Sequence, residues 1–178
     1  MDDIIQINAQ ITLTPFEPTD KENMIRYLND EAIGRNTLRV PQPYTEADAE
    51  ERLQKRAQER AANGIPSEWG IRHHEAGLIG GIGFFLKTGV DGHSDEIGYW
   101  LAAPFRGQGI MTQVVCALTD RMFEQRPPLV RIEAHVFTHN PASMRLLEKA
   151  GFEREGLLRK LHLKNGAYLD SVLMARLR

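Results

Sequence analysis

The feature that most constrains this chain is an apolar strand that runs through a glycine-rich loop directly into an amphipathic helix. Residues 95–102 read DEIGYWLA, residues 106–109 read RGQG, and residues 108–125 carry apolar side chains at helical spacing. Apolar positions at i, i+3, i+4 and i+7 are typical of a helix that packs one face against a core. A buried strand joined by a tight turn to such a helix predicts a domain in which helices cover a sheet.

The rest of the chain shows further strand and helix patterns. Apolar runs and alternation predict strands at 9–18, 67–73, 77–86, 129–137, 152–163 and 168–177. Helical spacing and caps predict helices after residue 19, over 45–64 and over 140–152. The predicted order, β-α-α-β-β-β-α-β-α-β-β, is an α/β fold with a mixed sheet of about six or seven strands and about four helices. No repeat or linker interrupts it, so residues 1–178 are expected to form a single domain.

Local signals mark where some of these elements begin and end. Thr19 and Glu22 have the spacing of a capping box, so Thr19 is the expected N-cap of the first helix. Asn140 followed by Pro141 is typical of a helix start. Asn165-Gly166 lies between the last two predicted strands and predicts a tight hairpin turn there.

Composition excludes several classes of protein. The formal net charge is −2, which argues against a nucleic acid as the main partner. Cys116 is the only cysteine, so no intrachain disulfide can form and a reducing compartment is expected. No apolar run reaches the roughly 18 residues of a membrane span, and the N-terminus lacks a signal-peptide pattern. The histidines have no metal-ligand spacing on one element, so no metal site is expected. The expected location is the cytoplasm.

The loop at 106–109 has two interpretations from its residues alone. The first amides of a helix lack intrahelical acceptors and carry partial positive charge, so they bind anions. Gly107 and Gly109 leave these amides uncovered and Arg106 adds a charged donor, which together suit a pyrophosphate. The alternative is a tight strand-to-helix turn that uses glycine only for its dihedral freedom. Neither a dinucleotide-binding GxGxxG nor a P-loop Gly-Lys-Ser/Thr accompanies this loop.

Two segments resemble a known superfamily. The run EIGYWLAAPFRGQGIMTQVV resembles the acetyl-CoA-binding core of the GCN5-related N-acetyltransferases, and HNPASMRLLEKAGFEREG resembles the segment that follows it there. The family loop reads Arg/Gln-x-x-Gly-x-Gly/Ala, and Met111 departs from its small last position. The segments GYWL, GQGIM and NPAS look most like those of the ribosomal-protein serine and alanine N-acetyltransferases.

The resemblance implies a fold, a co-substrate and a binding site. It implies a sheet splayed between strands 4 and 5, where the pantetheine arm of acetyl-CoA binds in the gap. A main-chain N–H near Leu101 would then polarise the thioester carbonyl. The residues that the resemblance assigns to acetyl-CoA are Trp100, Leu101, Ala102, Arg106, Gly107, Gln108, Gly109, Ile110, Met111, Thr112 and Asn140.

Catalytic candidates also follow from the resemblance. Ser143 occupies the position of a serine near the departing thiolate and would donate a proton to it. Many members of the family have a tyrosine where this chain has Leu147. Two residues are alternatives for the general base: Glu96 at the start of the cofactor strand, and His162 near the chain's end. Asn140 and Ser143 also have purely structural interpretations, as an N-cap and a first-turn helix serine.

The function expected from these residues is acetyl transfer from acetyl-CoA to a primary amine by direct attack in a ternary complex. A protein N-terminus of the ribosomal-protein type is the expected acceptor, and a small amine such as a polyamine or an antibiotic is the alternative. A CoA-binding sensor that has lost catalysis is an alternative from a different class. A homodimer is a further expectation that rests on the resemblance.

Overall fold

The computed structural model describes residues 3–64, 66–87 and 89–178, without the side chain of Asn63. Eight strands and five α-helices lie in this part of the chain. Their bounds are β1 (Ile5–Gln6), β2 (Ile11–Thr14), α1 (Lys21–Leu28), α2 (Glu31–Asn36), α3 (Glu46–Asn63), β3 (Glu68–His73), β4 (Gly77–Phe85), β5 (Ser94–Leu101), α4 (Ile110–Gln125), β6 (Arg131–Phe137), α5 (Pro141–Lys149), β7 (Glu153–Lys164) and β8 (Ala167–Leu177).

The strands form one mixed sheet in the order β1-β2-β3-β4-β5-β6-β8-β7. Strands β5 and β6 are parallel, whereas β1-β2, β2-β3, β3-β4, β6-β8 and β7-β8 are antiparallel pairs. This confirms the predicted mixed α/β fold. Two of its elements, β1 and α2, were not predicted, because β1 has only two residues and α2 has only six with a glycine among them. The expected splay between two central strands stays a prediction.

The chain forms two compact units. The first comprises the described residues of 1–83 together with 99–110, and the second comprises those of 84–98 together with 111–178. The expectation of a single domain over residues 1–178 stays a prediction.

The core of the first unit lies where α1, α2 and α3 contribute apolar side chains. A buried cluster contains Met24, Leu28, Ile33, Tyr44, Ala49, Leu78 and Trp100. Helix α3 begins at its predicted N-cap, where the Thr45 hydroxyl accepts from the backbone N–H of Asp48. Ala49 is its fully buried apolar residue, so most of this long helix keeps a charged surface.

The predicted cap at Thr19 is wrong. Residues Pro18–Asp20 form a 3₁₀ turn whose N-cap is Glu17, and α1 begins one residue later, at Lys21. The backbone N–H of Glu17 donates to Asp20 Oδ2 at 2.8 Å, and Arg72 of β3 donates to both oxygens of the same carboxylate. Because Asp20 receives these bonds while almost fully buried, the turn forms around Asp20 and not around Thr19.

The second unit contains the α4 helix, the α5 helix and the C-terminal hairpin. Val114, Val115 and Leu118 of α4 are fully buried, as the helical spacing predicts. The predicted hairpin is confirmed as β7 and β8. Asn165 and Gly166 at its turn have φ values of 50° and 79°, the left-handed conformation that a type I′ turn requires.

Candidate active site

The loop before α4 presents uncovered backbone to solvent. Gly107 and Gly109 have φ values of 77° and 76°, a region that favours glycine, and α4 starts directly afterwards at Ile110. Residues 106–109 are all exposed. A Cβ built on Gly107 would meet no atom within 4 Å, so the space beside this backbone is open. The loop therefore combines bare, exposed backbone with the positive end of a 16-residue helix.

Arg106 is held by two partners within the first unit. Its Nε donates to the carbonyl oxygen of Leu101 at 2.9 Å, and its Nη2 lies 2.7 Å from Asp30 Oδ2. Asp30 is also the N-cap of α2, since its Oδ1 accepts from the backbone N–H of Ala32 at 2.7 Å. Arg106 thus fixes the start of the loop to the end of β5 and to α2, while its side chain stays partly exposed.

The end of β5 is held by buried side chains and by paired backbone groups. The side chains of Trp100 and Ala102 are buried, so they belong to the core. The N–H of Ala102 donates to the carbonyl of Ile79 at 2.8 Å. The Trp100 carbonyl lies so near Gly80 that a Cβ there would approach it to 2.6 Å. Leu101 lies between these two residues and is partly exposed.

The remaining residues predicted to bind acetyl-CoA differ in their exposure to solvent. Gln108 is exposed, and its amide donates to the carbonyl of Pro104 at 3.0 Å. Ile110 and Met111 are buried in the first turn of α4 and Thr112 is partly exposed. The large side chain of Met111, which departs from the family pattern, therefore lies in the core and does not cover the exposed loop at 106–109.

Asn140 and Ser143 occur together at the start of α5. The side-chain oxygen of Asn140 accepts from the backbone N–H of Ser143 at 3.2 Å, so Asn140 is the N-cap of α5. Pro141 occupies the first helical position. Ser143 is partly exposed, and Leu147 one turn later is fully buried. The interpretation of Asn140 as an N-cap is confirmed, whereas its contact with acetyl-CoA and the catalytic role of Ser143 stay predictions.

The two base candidates are brought together by a residue that was not predicted. Glu96 on β5 places Oε1 at 3.5 Å from Nδ1 of His135 on β6. The ring of His135 in turn lies edge-on to that of His162 on β7, with centroids 6.1 Å apart. All three side chains are partly buried, and all belong to the second unit.

The electrostatics of this face favour a charged imidazole. The hydrogen bond that His135 donates to Glu96 raises the pKa of His135 above its usual range, against partial burial, which lowers it. Nearby, Glu133 lies 3.0 Å from Lys87 Nζ and 3.1 Å from Arg131 Nε. Burial would raise the pKa of Glu133, but these two cations outweigh it and the pKa is lowered.

A signal for His135 is present in the sequence. In β6, the residues Arg131, Glu133 and His135 alternate with buried Ile132, Ala134 and Val136, which identifies a polar face. The parallel pairing of Glu96 with Glu133 then places His135 one step along the same face. This second step requires the strand register, which the sequence does not reveal.

Neither a metal site nor a membrane span is found within residues 3–64, 66–87 and 89–178. No group of three His, Cys, Asp or Glu side chains there could hold a metal ion. In the same ranges, no helix has the length and apolar character to cross a bilayer.

Comparison with known proteins identifies the family. The model of the acetyltransferase (GNAT) domain matches residues 10–153, so the chain belongs to this family. Acetyl-CoA is the acetyl donor of GNAT acetyltransferases. The expected family is therefore confirmed.

Individual relatives extend this result. Probable N-acetyltransferase YjcK of Bacillus subtilis is 41% identical over 98 residues, 55% of this chain and 54% of that protein. The ribosomal-protein-serine acetyltransferase of Escherichia coli is 38% identical over 100 residues, 56% of this chain and 55% of that protein. These matches thus span about half the length of each relative. The solved ribosomal-protein-S5-alanine acetyltransferase from Vibrio fischeri shares the fold, with a TM-score of 0.85 at 23% identity over 99% of this chain and 97% of that chain.

Proposed function

We propose that this protein is an acetyl-CoA-dependent N-acetyltransferase whose acceptor is the α-amine of a protein N-terminus. The observation that carries the proposal is the GNAT match over residues 10–153, which includes the open glycine loop at the start of α4. The similarity to a ribosomal-protein-serine acetyltransferase supports the choice of acceptor.

The residues of this chain fit acetyl-CoA at the loop. The bare backbone at Gly107 and Gly109, followed by the first amides of α4, offers donors to the diphosphate. The main-chain N–H of Leu101, at the partly exposed end of β5, would polarise the thioester carbonyl. Acetyl-CoA supplies the acetyl group already activated as a thioester, so no covalent enzyme nucleophile is needed. The Ser143 hydroxyl would donate a proton to the thiolate that leaves.

The energetics of proton removal favour an α-amine acceptor. An amine must lose a proton before its lone pair can attack a carbonyl carbon. An α-amine has a pKa near 8 and a lysine side chain near 10.4, so at about pH 7.4 the cost of deprotonation is roughly 0.8 and 4 kcal/mol, respectively. A carboxylate paired with a histidine, as at Glu96 and His135, is a base strong enough to deprotonate an α-amine.

A panel of acceptors tests this function. Release of CoA thiol is followed with peptides that carry ribosomal-protein N-termini, with polyamines and with aminoglycosides, and mass spectrometry locates the acetyl group. We expect kcat/KM for the best peptide to exceed that for every small amine by about tenfold or more, equivalent to about 1.4 kcal/mol. The same peptide with a blocked α-amine is the control and should not react.

Two other results would replace the proposal. Preferential acetylation of a polyamine or an aminoglycoside would favour the small-amine alternative. Binding of acetyl-CoA without turnover on any acceptor would favour a CoA-binding sensor. Homodimer formation and a cytoplasmic location stay predictions.

The variant Gly109→Asp tests the binding loop. A carboxylate at this position would repel the diphosphate, and an aspartate is strained at a φ of 76°. We expect the Kd for CoA, measured by calorimetry, to rise by about tenfold or more. Gly64→Asp is a matched control, because Gly64 has a φ of 72° with nothing within 4 Å and caps the end of α3. Equal affinities in the two variants would contradict the assignment of the loop.

A further inference from the structure

Three titratable side chains from three strands of the second unit lie close together, although β8 separates β6 from β7 in the sheet. Glu96, His135 and His162 come from β5, β6 and β7, and His135 lies in the middle. Its Nδ1 is 3.5 Å from the Glu96 carboxylate, and its ring packs edge-on against that of His162. The ring of His162 also lies edge-on to Phe137, with centroids 5.6 Å apart.

We propose that His135 is the general base that removes the proton from the acceptor amine, and that Glu96 orients its ring. This inference rests on the proposed function, since a base is needed only if an ammonium group must be deprotonated. It assigns the base to neither of the two residues expected from the sequence.

The geometry resembles the base half of a catalytic triad. A carboxylate beside Nδ1 holds a proton on that nitrogen, which leaves the lone pair on Nε2 at the opposite side of the ring. Glu96 would then stabilise the imidazolium that forms when Nε2 takes up a proton. The ring of His162 packs edge-on against that of His135, with centroids 6.1 Å apart.

The groups around His135 support its use as a base. Besides Glu96 on β5, the charged groups that act on it are Glu133 on β6 itself, which raises its pKa, and Lys87 after β4, which lowers it. Strand β7 contributes His162, and β8 pairs an apolar Leu173 opposite His135. The net effect raises the pKa of His135, and a higher pKa makes it a better acceptor for a proton from an α-ammonium group.

The proposed step balances as follows in atoms and charges. The acceptor ammonium gives one proton to Nε2 of His135, which becomes an imidazolium beside the Glu96 carboxylate. The freed lone pair forms the C–N bond to the acetyl carbon, and the C–S bond breaks with its electron pair going to sulfur. The Ser143 hydroxyl gives its proton to that sulfur and takes up the second proton from the nitrogen, and the proton on His135 returns to solvent.

The variant His135→Gln tests the role with two acceptors. One is the best N-terminal peptide, and the other is the same peptide with an aminooxy group in place of the α-amine, whose nitrogen is already neutral at assay pH. We expect kcat for the amine peptide to fall by about 10²-fold or more. For the aminooxy peptide we expect a change of less than about threefold, because no proton needs to be removed first.

Two further measurements exclude a merely structural effect. Calorimetry should show the same CoA affinity in the wild type and in His135→Gln. Titration of the imidazole by NMR should show a lower pKa for His135 in Glu96→Gln than in the wild type, with no ligand present. His93→Gln, an exposed histidine of the same unit, is the matched control and should keep full activity with both acceptors.

The outcomes separate the inference from the function on which it rests. An equal loss of activity with both acceptors, or no loss with either, would overturn the role of His135 while acetyl transfer stands. A wild-type protein that binds CoA and acetylates neither acceptor would overturn the proposed function itself, and the inference with it.

Discussion

Glu68 and Glu96 are both strand carboxylates that pair with cationic side chains, but they differ in exposure and in the kind of partner. Glu68 on β3 is 8% exposed and receives the guanidinium groups of Arg52 and Arg56 from α3, the second at 2.7 Å. Glu96 on β5 is 27% exposed and faces a single imidazole, that of His135. The first pair is held by cations that never lose their charge, and the second by one that titrates near neutral pH.

Further hydrogen bonds extend the cluster around Glu68 to Glu59 and Ser67. Arg56 also donates to Glu59 at 2.5 Å, and the hydroxyl of Ser67 donates to the same carboxylate. Burial works against the charge of Arg52, but attraction to Glu68 outweighs it and raises the pKa of Arg52 further. These buried ion pairs and hydrogen bonds join α3 to β3 and to the Ser67 segment before it. The two carboxylates therefore differ in their own exposure and in whether the partner can lose its proton, and only the Glu96 pair has the features of the proposed base.

The largest expected effect is on stability, in Glu68→Gln. The change leaves Arg52 and Arg56 without their buried counter-ion, which in buried pairs costs about 3 kcal/mol or more. Urea unfolding should show this loss as a lower midpoint at unchanged slope. The pH profile of kcat for the remaining folded protein should match that of the wild type.

The control for Glu68→Gln is an exposed pair of the same kind. Glu46 on α3 lies 2.6 Å from Lys21 Nζ and is 66% exposed. Glu46→Gln should produce no measurable change in the urea midpoint, because solvent screens this pair. Equal losses in the two variants would contradict a structural role specific to the buried cluster.

The smaller expected effect is pH-dependent, in Glu96→Gln. Because the pKa of His135 is raised in the folded protein, the pair stabilises the fold below the unfolded pKa of about 6.5, and this contribution is lost as the pH rises through the folded value. At about pH 5.5 the variant should be less stable than the wild type by less than about 1 kcal/mol. At about pH 9 the difference should vanish.

Unfolding curves at both pH values measure this effect, and the acidic limb of the kcat profile should move to lower pH in the same variant. A stability loss that is independent of pH would show that Glu96 serves structure, as Glu68 does, and would remove the contrast between the two carboxylates.

The sequence by itself determined most of the helices and strands and the family-specific loop. Apolar spacing defines α4, alternation defines β6, and Asn165-Gly166 defines the last hairpin, because each of these signals is local. Gly107 and Gly109 could be recognised because this tight turn requires positive φ values, which glycine adopts most readily. Thr19 was assigned wrongly because its capping role was displaced by Asp20, whose partner Arg72 lies 52 residues away.

Only the tertiary structure decided which side chains meet. Arg106 pairs with Asp30, 76 residues away, and this contact depends on how the loop packs on α2. His135 meets Glu96 because β5 and β6 pair in parallel with Glu96 opposite Glu133. A shift of one residue in that register would turn His135 to the other face of the sheet. Pairing across strands is set by packing over the whole chain, which no local pattern of residues records.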